Sequence, residues 1–63
     1  MYCRCNNNER IDKTFTVGNL YQYTVNDREW VTVYDPYTHM SLDYIEPHLM
    51  HIDDFIFSFQ ILD

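Results

Sequence analysis

The chain has 63 residues, a formal net charge of −6 and 17% aromatic residues. A domain of that length buries only roughly 60% of the surface its unfolded chain exposes, which excludes a second domain and leaves stability marginal. No run approaches the roughly 18 apolar residues of a membrane-spanning helix. The polar start from Met1 to Asn8 carries no apolar stretch of the secretory kind, so a cytoplasmic (host-cell) location is expected.

Residues 1–12 have no apolar periodicity, and Asn6, Asn7 and Asn8 have turn chemistry. The segment is expected to be a flexible arm or a short edge element. Cys3 and Cys5 are too few and too close for a disulfide framework. From Lys13 the pattern turns strand-like, with Phe15 and Val17 alternating with Thr14 and Thr16. Gly18, the only glycine, marks a bend. Leu20 to Val25 puts Tyr21, Tyr23 and Val25 on one face. After the turn Asn26-Asp27-Arg28, the run Glu29 to Tyr34 puts Val31 and Val33 on one face and Trp30, Thr32 and Tyr34 on the other. The two runs predict a hairpin.

Asp35-Pro36 predicts a second turn. Thr38 to Tyr44 alternates again, with Met40, Leu42 and Tyr44 opposite His39, Ser41 and Asp43. Residues 46–54 read as a connector, with one short helical turn near 46–52. In the last run Phe55, Phe57, Phe59 and Ile61 share one face of a strand. The competing reading is a helix over 41–51, against which Pro47 argues. Five short antiparallel strands on one chain limit their exposed edges by rolling up. The fold class is therefore all-β or mostly β: a small five-stranded antiparallel barrel over residues 13–63, SH3-like by first preference and OB-like by second.

Val17-Gly18-Asn19-Leu20-Tyr21, the hairpin through Trp30-Val31-Thr32-Val33 and a closing strand introduced by Asp53-Asp54-Phe55 resemble the small SH3-like barrels carried by phages and mobile elements of Gram-positive bacteria. The resemblance covers roughly residues 13–62, and a long acidic insertion before the closing strand departs from it. It implies an accessory protein that engages a host factor, for example as an inhibitor. It carries no site residues across, because such proteins share a fold and not a site.

Charge is distributed unevenly. Arg4, Arg10, Lys13 and Arg28 with Glu9, Asp12 and Asp27 give the first 28 residues +1; the seven acids from Glu29 onward, with no Lys or Arg, give −7. Such a protein is repelled by phosphate backbones and anionic lipid, so direct nucleic-acid and membrane binding are not expected. A basic protein partner is, including one whose own task is to hold nucleic acid. The expected contact surface is an acidic aromatic patch of Trp30, Tyr34, Asp35, Tyr37, Asp43, Tyr44, Asp53 and Asp54.

Two chemistries compete with binding. Cys3-x-Cys5 and His48-x-x-His51 form a legitimate zinc donor set, and a structural metal would stabilise so short a chain. Their spacing fits known sites loosely, so no metal or other cofactor is expected. His51, Asp53 and Asp54 are acid–base groups, but no nucleophile or oxyanion motif accompanies them, and no enzyme activity is expected. The reading is a non-enzymatic acidic binding protein that inhibits or modulates a host protein. The alternatives are a zinc-stabilised mini-domain and a small subunit of an obligate oligomer, with homo-oligomers allowed.

Overall fold

Alternation at period two decides which side chains of an extended segment face inward. In Tyr2–Cys5 (β1), Cys3 and Cys5 are fully buried while Tyr2 and Arg4 stand outside. A free cysteine packs as a small hydrophobe, so this short strand has a usable apolar face. The structure, a computed structural model, describes residues 1–37 and 44–63. Its further elements are β2 (Leu20–Val25), β3 (Trp30–Asp35), β4 (Glu46–His51), α1 (Ile52–Ser58) and β5 (Phe59–Ile61).

The strands form one antiparallel sheet in the order β4-β3-β2-β1-β5. This is the expected mostly β fold, five antiparallel strands and one short helix in a small barrel-like form. Only some of the strands are the expected ones. β2 and β3 form the predicted hairpin, with Asp27 Oδ1 accepting the Glu29 and Trp30 amides at 2.8 and 3.0 Å across the turn.

β1 is not an edge element. It lies between β2 and β5, pairing Cys3 with Tyr21 on one side and with Ile61 on the other. Residues 2–5 are therefore an inner strand of the sheet. Lys13 to Val17 is a sequence of turns rather than a strand. Asp12 O accepts the Phe15 amide and Thr16 O the Asn19 amide, both at 3.1 Å. Phe15 fills the core while Val17 stays exposed. Gly18 sits at φ 97°, a backbone conformation that a side chain disfavours.

The expected strand Thr38 to Tyr44 lies outside the described residues except for Tyr44, which is not in a strand. The expected connector and helical turn near 46–52 are replaced by β4, an edge strand, where proline is tolerated. Half of the expected strand 55–62 is α1, and Phe59–Ile61 is a strand as expected. His51 Nδ1 accepts the Asp53 amide at 3.1 Å and caps the helix. Asp53 and Asp54 occupy the first turn, where the helix dipole favours negative charge. Ile52, Phe55 and Phe59 then turn one face inward, while Phe57 stays 42% exposed.

The helix packs on β3, β4 and β5. Its Phe55 stacks on Phe59 at 5.4 Å and meets Tyr23 at 4.9 Å. Phe15 completes the core with edge-to-face contacts to Tyr21 at 5.0 Å and Phe59 at 5.5 Å. Among the described residues the core cluster holds ten buried side chains, five of them aromatic, with Ile11 and Ile52 packed against it.

Candidate functional site: an acidic end and a tyrosine-lined groove

The residues expected to make one acidic aromatic patch are divided between two places. Trp30 ends the outer row of β3, pairs with His51 across to β4, and stands edge-on to that imidazole at 5.6 Å. The Ile52 amide donates to Glu29 O at 2.7 Å, which brings the start of α1 against the hairpin. Asp53 and Asp54 follow directly. Asp27 belongs to the same turn and accepts the Trp30 amide, Asp53 Oδ2 lies 3.6 Å from His51 Nδ1, and Asp54 lines one depression with Trp30 and Arg10. Asp27 and Glu29 were not singled out in the sequence, although their turn was; their place beside α1 comes from tertiary pairing.

Tyr34 and Tyr37 belong elsewhere. They line a groove of about 310 Å³ with Tyr2, Leu20, Pro36 and Ile45. Their hydroxyls are occupied: Tyr37 Oη donates to Leu20 O at 3.0 Å, and Tyr34 Oη lies 3.2 Å from Thr24 Oγ1. Tyr2 Oη accepts from Gln22 Nε2 at 3.0 Å. The groove therefore offers ring faces. Tyr44 is exposed close to it in sequence, and Asp43 lies outside the described residues.

Asp35 is a correction. It is fully buried, because it continues the inward alternation of Val31 and Val33, and its Oδ1 accepts the Tyr37 amide at 2.9 Å. It organises the turn and takes no part in a surface.

The zinc set does not assemble. Among the described residues no group of three or more His, Cys, Asp or Glu side chains is placed to hold a metal ion. Three residues apart on a strand, His48 and His51 point to opposite faces. His51 Nδ1 is already the helix cap. Burial, and after it the neighbouring Cys5, pushes the Cys3 thiol up to about 12; burial also raises Cys5.

No family model, curated protein or solved structure matches the chain. Its function must be argued from the surfaces themselves.

A second depression, of about 350 Å³, lies along β4 and is lined by Trp30 as well. Arg10, Asp12, His48 and Asp54 are among its walls. His48 packs edge-on to Phe15 at 4.8 Å with its Nε2 buried, 3.9 Å from the Glu46 carboxylate. Asp12 is held below the usual carboxylate range by the Thr14 amide. Arg10 is committed to the Phe57 ring, 4.0 Å away. These groups serve packing, turns and a cation–π contact; no nucleophile stands among them. Among the described residues no helix is long and apolar enough to cross a membrane.

Proposed function

We propose that the chain is a non-enzymatic binding module that engages a basic protein through the end of the barrel bearing Trp30. One observation carries the reading: a 39% exposed indole edge-on to His51, whose Nδ1 lies 3.6 Å from Asp53, in a depression that Asp54 and Arg10 also line. Tryptophan supplies large contact area at small entropic cost and is enriched among residues that dominate binding energy. Neighbouring carboxylates steer a cationic partner to it and reject anionic ones. By the resemblance noted in the sequence, the partner would be a host protein and the module its inhibitor or modulator.

The test uses Trp30→Ala and a Glu29→Lys/Asp53→Lys double variant. Glu29 and Asp53 are exposed, whereas Asp27 holds the turn and is left alone. A partner captured from host lysate with the wild-type chain and then purified should be basic. It should bind both variants at least about tenfold more weakly, and lose affinity as salt rises. A partner that binds both folded variants as well as wild type, or is indifferent to salt, overturns the reading.

A further inference from the structure

The outer face of the sheet has a property the chain as a whole does not. Tyr2, Gln22, Tyr34 and Pro47 lie in register across four strands, and Thr24, Thr32 and Leu49 form the next row. Neither row holds a charged residue, although 22% of the chain is charged. On this face the groove of about 310 Å³ is a recess, and Leu49, 61% exposed, is a knob. The two are adjacent: Leu49 is two residues along β4 from Pro47, which pairs with the groove residue Tyr34.

We propose that two copies of the chain pair through this face about a two-fold axis, Leu49 of each entering the groove of the other. An isologous interface must be complementary to itself, and a knob beside a recess meets that condition when one copy is turned over the other. Charge argues for the same occupant. Two copies of net charge −6 meet no carboxylate of each other across these two rows, so this face carries none of the repulsion of the acidic end. Pairing also answers the marginal stability of a short chain. Trp30 and His51 form the row beyond Leu49 on the same face; self-association tests this pairing and partner binding tests the function proposed above, so the two fail separately.

Sedimentation equilibrium between about 1 and 200 µM tests it, a range that brackets the affinities of modest interfaces. Wild type should dimerise, and the dimer should hold or tighten from about 0.05 to 0.5 M NaCl as the net charges are screened. Leu49→Glu and Leu20→Lys alter exposed side chains, and melting curves confirm that each folds. Each should weaken self-association at least about tenfold, since each buries an unpaired charge. Mixed in equal amounts, they should form a heterodimer tighter than either homodimer. In the mixture the introduced carboxylate meets the introduced ammonium in one groove, and the remaining Leu49 finds an unaltered groove in the other. A wild-type monomer at the highest concentration overturns the proposal, as does a folded Leu49→Glu variant that dimerises normally, or a mixture no tighter than its components.

Discussion

The Cys3 thiol lies 3.5 Å from the carbonyl oxygen of Tyr21, its register partner on β2, and donates to it. The thiol thus faces the interior across the strand pair that closes the first loop. Burial is the main cause of its pKa of about 12, against an ordinary 9.0. Cys5, Tyr21 and Tyr23 are all raised as well, burial again being the largest cause. Above pH 9 the unfolded chain gives up protons that the folded chain keeps. The unfolded state then binds fewer protons, so stability falls with rising pH. The contribution is complete below pH 9 and is lost progressively toward 12. Thermal melting at pH 7, 9, 10 and 11 should show a falling midpoint, with a shallower fall in Cys3→Ala. Neither cysteine should react with a thiol reagent at pH 8 until denaturant is added.

Phe55 and Phe57 separate the helix from the strand suggested by the sequence. On a strand the two would share a face; on α1 Phe55 is 1% exposed and Phe57 is 42% exposed beneath Arg10. Phe55→Ala should cost about 3–5 kcal/mol, enough to unfold much of so small a domain. Phe57→Ala removes an exposed ring and a cation–π contact of about 0.5–1 kcal/mol, and the folded state should survive. Urea denaturation of both variants is the measurement. Equal losses would put both rings on one buried face.

The local sequence supported both readings of that segment. Phe55, Phe57, Phe59 and Ile61 alternate at period two, while Ile52, Phe55 and Phe59 recur at helical spacing. What decides is tertiary: β1 pairs with Phe59–Ile61 only, and the seven residues before must cross from β4. The hairpin was legible because β-branched and aromatic residues alternate on both sides of a turn. β1 was not, because Tyr-Cys-Arg-Cys is short and cysteine gives a weak apolar signal. Pro47 argues against a helix over 41–51, yet an edge strand such as β4 tolerates it. The site was legible in part. Trp30 and Asp54 line one depression and Asp53 lies by His51, an arrangement set by the strand pairing of Trp30 with His51, which no local pattern announces.

Gly18 is the third residue of the turn Thr16–Asn19, the position that requires positive φ in a type II turn. Its amide donates to Cys5 O at 2.7 Å, so the turn is tied to β1. A Cβ built there meets nothing within 4 Å. The cost of Gly18→Ala is therefore backbone strain alone, about 1–2 kcal/mol. Chemical synthesis with D-alanine at this position should avoid the loss, since its mirror-image preference fits φ 97°. Guanidinium melts of the three chains check the order. An L-alanine variant as stable as wild type would mean that the turn is not held in this conformation.

Asp35 distinguishes a buried acid from a binding one. It accepts the Tyr37 amide from inside the barrel, and Tyr37 in turn reaches Leu20 O to form one wall of the groove. Asp35→Ala removes that acceptor and should cost about 1–3 kcal/mol, the range for a polar partner lost in a buried site. Asp35→Asn keeps one carbonyl oxygen for the amide and should cost less. Neither change alters the charge around Trp30. At temperatures where the variants remain folded, both should bind the basic partner as wild type does, while Asp53→Lys does not. Calorimetric melting with partner titrations separates the two effects. A stable Asp35→Asn chain that binds markedly more weakly would return Asp35 to the contact surface and contradict its burial.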